Sequence, residues 1–207
     1  MTERRKRVGI MGGTFDPIHI IHLILAEEAF QQFGLDQVVF IPSGNPPHKK
    51  NRPGGASGLQ RGEMVRLATA SNLHFSMDLM EVCSEEYSYT YRTLEKLTEK
   101  HPDTDYFFIM GADSLRDLPL WKCPERILSL CTVVVAIRDG ARPEDFRRMI
   151  LERQAQFGGS IQELRTPDLD ISSHVIRERI RKGKSVRYFL PDEVITYIEK
   201  EGLYRSL

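Results

Sequence analysis

Val8-Gly9-Ile10-Met11-Gly12-Gly13-Thr14-Phe15-Asp16-Pro17-Ile18-His19-Ile20-Ile21-His22 is the stretch that decides the reading of this chain. The apolar run Val8–Met11 reads as a buried strand, Gly12-Gly13-Thr14 as a tight turn, and the segment from Ile20 as the start of a helix. Glycines after a strand allow close backbone approach and a positive φ. Open α/β sheets place ligands outside the carboxyl ends of their strands, and N–H groups at a helix start face anions there. His19 and His22 are one helical turn apart and so point to the same side. The junction is a candidate phosphate site; an ordinary βα turn with structural histidines is the alternative. A zinc site is not supported, because Asp16 alone does not supply the third and fourth ligands.

Working outward, apolar runs alternate with helical patterns. Strands are expected at Val8–Met11, Val38–Ile41, Tyr106–Met110 and Thr132–Ile137, with weaker ones near His74–Ser76 and Ile161–Leu164. Helices are expected at Ile20–Phe33, Gln60–Ala70, Thr90–Lys100, Pro124–Leu130 and Pro143–Phe157. This βαβ rhythm predicts an α/β fold, a doubly wound parallel sheet with helices on both faces. After Pro167 the rhythm changes to a small C-terminal helical segment. Ser172-Ser173 reads as the cap of a helix running to Arg181 and ended by Gly183; Pro191 opens a last helix that Gly202 follows. Residues 42–59, rich in Pro, Gly, Asn and Ser, are too long for a structural turn and read as a functional flap or a disordered loop.

Composition sets limits. The 207 residues suffice for one large domain with a good core. Twenty-nine basic residues balance 29 acidic ones, so no global positive field favours an extended nucleic-acid surface. No apolar stretch approaches the roughly 20 residues that span a bilayer. The three cysteines, Cys83, Cys123 and Cys131, form no Cys-x-x-Cys pair and read as reduced thiols in a cytoplasmic protein.

Other residues carry two readings each. Lys49 and Lys50 sit in the Pro-rich loop, as a solvated tip or as phosphate-reaching cations. Asp113 follows the strand Tyr106–Met110, where a carboxylate accepts from ribose hydroxyls or caps a helix. Trp121 stacks on a ligand ring or fills space.

Gly12 through His22 resembles the signature of the nucleotidylyltransferase superfamily with a His-x-Gly-His motif. Asn45-Pro46-Pro47-His48-Lys49, Ser88-Tyr89-Thr90, Gly111-Ala112-Asp113-Ser114, Leu118-Pro119-Leu120-Trp121 and Ile171-Ser172-Ser173 with Ile176-Arg177 narrow it to the bacterial nicotinate mononucleotide adenylyltransferases. The resemblance covers nearly the whole chain. It implies a Rossmann-like sheet in a single domain, residues 1–207, whose C-terminal segment (about 168–207) completes an ATP site. The implied activity is transfer of AMP from ATP to nicotinate mononucleotide, with Mg²⁺ accompanying ATP. His19, His22, Lys49 and Arg177 would be catalytic. Gly12, Gly13, Thr14, Phe15, Gly111, Asp113, Ile171 and Ser172 would bind ATP; Thr90, Tyr91 and Trp121 would bind the acceptor. Implied partners are ATP and a pyridine mononucleotide, not nucleic acid or membrane; a homo-oligomer is left open.

The chain departs from the pattern at three positions. Ile21 stands where the family has Gly, His174 where it has Thr, and Arg92 where it is usually acidic. A different phosphorylated acceptor, or a non-catalytic nucleotide-binding paralogue, are the alternatives these departures raise.

Overall fold

A computed structural model of the chain describes residues 4–46, 55–136, 143–167 and 171–205. Among them are β1 (Lys6–Gly13), α1 (Ile20–Gln32), β2 (Gln37–Pro42), α2 (Gly58–Thr69), β3 (Phe75–Met77), α3 (Thr90–Lys100), β4 (Thr104–Gly111), α4 (Ala112–Asp117), α5 (Pro124–Leu130), β5 (Thr132–Ala136), α6 (Pro143–Phe157), β6 (Ser160–Leu164), α7 (Ser173–Arg181) and α8 (Asp192–Lys200). The strands form a parallel sheet in the order β3-β2-β1-β4-β5-β6. This is the doubly wound arrangement, and the order reverses between β1 and β4. Such a reversal leaves a crevice beyond the strand ends. Every expected strand and helix is present. Ile137, expected to end β5, lies outside the described residues. The short helix α4 is the helix that one reading of Asp113 offered, although its bounds were not given, and the 3₁₀ turn Leu118–Leu120 was not expected. Neither segment is long enough to show a helical period.

The chain divides into two compact units. The first is Met1–Gly12, Leu25–Val39 and Tyr89–Leu169. Its central strands β4 and β5 are buried almost throughout, from Tyr106 to Met110 and from Val133 to Ala136. Continuous apolar strands are what a parallel sheet needs when helices cover both faces. α3 packs on α5, with Leu94, Leu97, Ile127 and Leu128 buried. The Gln32 amide donates to Glu163 O at 2.8 Å and accepts from Arg165 N–H at 3.0 Å, tying α1 to β6.

Cys131 follows α5 in this unit, and its thiol donates to Ile127 O at 3.3 Å. Burial pushes the thiol pKa up to about 12, so little thiolate exists at pH 8. Cys83 is exposed. Ellman's reagent at pH 8 is therefore expected to label Cys83 in the native protein and Cys131 only after denaturation. Rapid native labelling of Cys131, mapped by mass spectrometry, would contradict this.

The second unit is Gly13–Ile24, Phe40–Ser88 and Asp170–Leu207. α2 starts with a capping box, Ser57 with Gln60, and packs against α8. The apolar core of this unit includes Ile18, Phe40, Ile41, Met64, Ile176, Val194 and Ile198. The start of the Pro-rich loop is stitched down. Gly44 and Asn45 N–H donate to Ser88 Oγ at 3.0 and 3.2 Å. A Cβ on Gly44 would lie 1.9 Å from the Glu81 carbonyl oxygen, so only glycine allows this approach. Residues 47–54 of the loop, with Lys49 and Lys50, lie outside the described residues.

Candidate active site

The Gly12-Gly13 pair does not form the turn. β1 continues through Gly13, and neither glycine has a positive φ. The left-handed backbone falls instead on Phe15, φ 51°. A non-glycine residue there is strained by about 1–2 kcal/mol. Burial offsets this, because the Phe15 ring is 2% exposed, sits edge-on to His22 at 5.1 Å and lies 6.0 Å from Phe40. The chain bends at the aromatic residue because its ring has a core site to fill.

His19 immediately precedes α1 and is 2% exposed. His22 lies in the first turn, and the two imidazoles stack with centroids 3.8 Å apart. The His19 backbone N–H donates to His22 Nδ1 at 3.1 Å. That bond makes Nδ1 an acceptor, so neutral His22 carries its proton on Nε2 and donates from there. The Phe189 carbonyl accepts from Ile20 N–H at 2.9 Å, using one of the first donors of α1. Ile21, at the family's glycine position, is 5% exposed. Its side chain belongs to the apolar core, and Ile21→Gly is expected to give no gain in rate.

The second helix start in this unit matches expectation closely. Ser172 caps α7, its Oγ accepting from Val175 N–H at 3.4 Å. Ile171 precedes it, half-buried, and His174 is exposed. Ser173 Oγ donates to Pro17 O at 2.9 Å, and Arg177 Nη1 donates to Asp16 O at 2.6 Å. α7 is thereby fastened to the same 14–17 turn that precedes the histidine pair.

Three residues at this turn carry no role in the sequence reading: Asp16, Arg61 and Tyr204. Asp16 Oδ1 accepts from the Tyr204 hydroxyl at 2.7 Å and from Ala56 N–H at 3.1 Å. Arg61 is 5% exposed and donates to Thr14 O and to Ser43 O, both at 2.6 Å. Burial pulls the Arg61 pKa down from its ordinary value, and the Asp16 carboxylate opposes that. Burial, followed by the Asp16 charge, pushes the Tyr204 phenol well above the usual tyrosine value. Tyr204 is 188 residues from its partner, beyond any local pattern.

Tyr204 sets a limit on alkaline stability. Unfolded tyrosine ionises near pH 10, whereas folded Tyr204 keeps its proton. The folded state then binds more protons, so its contribution is fully present below about pH 10 and is lost above it. The decline approaches about 1.4 kcal/mol per pH unit for this one group. Urea unfolding at pH 9, 10 and 11 measures it, and Tyr204→Phe should reduce the slope.

In the first unit, an added Cβ on Gly12 would meet the Phe108 ring at 3.4 Å. Gly111 ends β4 and is itself the N-cap of α4. Asp113 is therefore not the cap; it lies in the first turn, exposed, paired with Arg116 at 3.0 Å. Thr90 is the first residue of α3, as the expected span has it, and Tyr89 is the N-cap. Tyr91 Oη accepts from Arg92 Nε at 3.0 Å, and the Arg92 guanidinium lies over the Tyr89 and Tyr91 rings. Trp121 closes the 3₁₀ turn, half-buried, edge-on to Phe108 at 6.2 Å.

Among the described residues no group of three His, Cys, Asp or Glu side chains could hold a metal ion, and no helix is long and apolar enough to cross a membrane. The Asp16 carboxylate is engaged by Tyr204 and Ala56.

The chain is similar to known proteins in sequence and in fold. The Cytidylyltransferase-like family matches residues 10–179. A protein of Lachnoclostridium phytofermentans named "Probable nicotinate-nucleotide adenylyltransferase" is 42% identical over 203 residues, covering 96% of this chain and 99% of the relative. One of the same name from Desulfitobacterium hafniense is 44% identical over 97% of this chain and 96% of its own. In fold, the chain is similar to Plasmodium falciparum nicotinic acid mononucleotide adenylyltransferase complexed with NaAD. The TM-score is 0.78 at 20% identity, covering 96% of this chain and 97% of that one. The chain thus belongs to the Cytidylyltransferase-like family and, within it, to the nicotinate-nucleotide adenylyltransferases.

Proposed function

We propose that this protein transfers AMP from ATP to nicotinate mononucleotide, forming nicotinate adenine dinucleotide and pyrophosphate in NAD biosynthesis. An oxygen of the acceptor 5′-phosphate forms a bond to the ATP α-phosphorus. The bond from that phosphorus to the bridging oxygen breaks, and pyrophosphate leaves with the electron pair. Such chemistry needs two polyanions held in line and the charge on the transferring group stabilised.

The observation that carries the reading is that two helix starts, α1 and α7, are tied to one turn. Ser173 and Arg177 of α7 bond to Pro17 O and Asp16 O, and the His19–His22 pair begins two residues on. In the proposed roles, His22 Nε2–H and the His19 ring donate to phosphate oxygens near the bond that breaks. Ser172 and Arg177 hold the β- and γ-phosphates, with Ile171, Gly12, Gly13, Thr14 and Phe15 lining the ATP path. Lys49, outside the described residues, is assigned to the phosphates by the resemblance alone. Gly111 and Asp113 take the ribose. Thr90, Tyr91 and Trp121 receive the acceptor, where N–H groups at the start of α3 favour a carboxylate over an amide. Residues 168–207 complete the ATP site within one functional domain, 1–207.

Mg²⁺ would travel with ATP, held by phosphate oxygens and water, and would offset phosphate charge. The donor set suits that arrangement, since it presents cations and N–H groups rather than a carboxylate cluster. The three free thiols agree with a cytoplasmic setting.

The test is pyrophosphate release from Mg·ATP with nicotinate mononucleotide, nicotinamide mononucleotide and phosphopantetheine run in parallel. Selective turnover of the nicotinate form is expected. Turnover with another acceptor alone would reassign the substrate. ATP binding without release from any acceptor would make the chain a non-catalytic paralogue.

A further inference from the structure

The 14–17 turn is held from outside by side chains that arrive from distant parts of the second unit. Arg61 holds Thr14 O, Arg177 holds Asp16 O, Ser173 holds Pro17 O, and Tyr204 holds the Asp16 carboxylate. Two of these four, Arg177 and Ser173, belong to the helix start already assigned to phosphate. Arg61 and Tyr204 do not, and both are buried. They are delivered by two helices that pack on each other, α2 and α8. At the end of α8, Gly202 has φ 63° and Leu203 N–H donates to Ile198 O at 3.0 Å. This closes the helix and turns Tyr204 back toward Asp16.

The Asp16 carboxylate has two faces. Oδ1 is engaged by Tyr204 and Ala56, while Oδ2 lies 3.9 Å from Arg177 Nη1. That separation is longer than a hydrogen bond, so Arg177 spends Nη1 on the Asp16 backbone carbonyl rather than on the carboxylate.

Resting on the adenylyltransferase reading, we propose that Tyr204 is a positioning residue. Its hydroxyl holds the Asp16 carboxylate away from a full ion pair with Arg177 and so keeps the Arg177 guanidinium oriented for ATP phosphates. Without the hydroxyl, Asp16 is a buried anion short of one donor. Arg177 is the cation beside it, and the two close into the fork-like pair that guanidinium and carboxylate prefer. Arg177 is then turned from phosphate toward Asp16. The device acts on ATP and leaves the acceptor untouched.

The experiment is ATP binding by calorimetry, in the presence of Mg²⁺ and without acceptor, for the full chain and for Tyr204→Phe, Arg177→Ala and the double variant. Loss of one hydrogen bond to a charged group is expected to weaken ATP about tenfold in Tyr204→Phe. The KM for the acceptor should stay within about twofold, since no partner of Tyr204 is assigned to that substrate. In the Arg177→Ala background the Tyr204→Phe substitution should add almost nothing, because the residue through which it acts is gone. A merely structural tyrosine would instead give effects that multiply undiminished in the double variant. That result, or unchanged ATP affinity in Tyr204→Phe, overturns the proposal. Absence of ATP binding by the unaltered protein would overturn the adenylyltransferase reading itself, and this inference with it.

Discussion

Replacing His19 with alanine is expected to lower kcat for adenylyl transfer by about 10²–10³-fold, the usual loss when one preorganised donor to a transition state is removed. The geometry makes this a clean measurement. The bond that sets the His22 tautomer comes from the His19 backbone N–H, not from its side chain. Alanine keeps that N–H, so His22 still presents Nε2–H. What disappears is one imidazole of a pair stacked at 3.8 Å. Steady-state pyrophosphate release at saturating ATP and acceptor reads the loss, and a thermal melt shows that the protein remains folded. A rate near that of the unaltered protein would discard the role assigned to His19.

Arg61→Ala is expected to give the largest loss of stability, about 3–5 kcal/mol, the range for breaking a buried ionic network by removing one partner. Two carbonyls, Thr14 O and Ser43 O, lose the donor they share, and an unsatisfied buried acceptor costs about 1–3 kcal/mol. The Asp16 carboxylate also loses a neighbouring cation. For a chain of this size the melting temperature should fall by about 10 °C. Arg61→Lys should recover only part of the loss, because an ammonium is a point charge and does not span two acceptors as a planar guanidinium does. Urea unfolding of the three proteins measures the series. A loss below about 1 kcal/mol would place Arg61 among ordinary exposed charges.

The candidate site was legible in part. His19, His22, Ser172 and Arg177 were read from the chain; the structure places the two histidines at the start of α1, Ser172 at the cap of α7 and Arg177 in the middle of α7, and bonds from Ser173 and Arg177 tie α7 to the turn before the histidines. The turn itself was misjudged. Two glycines suggested a left-handed bend, yet the bend falls on Phe15, because a ring that finds a buried site repays a strained backbone that glycine would adopt without gain. Ile21, at the family's glycine position, is buried in the core. Asp113, one reading of which was a helix cap, stands two residues inside α4, whose cap is Gly111. Cap positions depend on the last residue of the preceding segment, which local composition locates poorly.

Local patterns in the sequence determined the alternation of strands and helices, the parallel sheet and the position of the strand–turn–helix junction after β1. Each rests on interactions between residues a few positions apart, so a short window contains the signal. Only the tertiary structure decided what holds that junction. Asp16, Arg61, Arg177 and Tyr204 are spread over 188 residues of sequence. A buried charge network has no period; it is specified by whichever side chains the packing of α2, α7 and α8 brings to one turn.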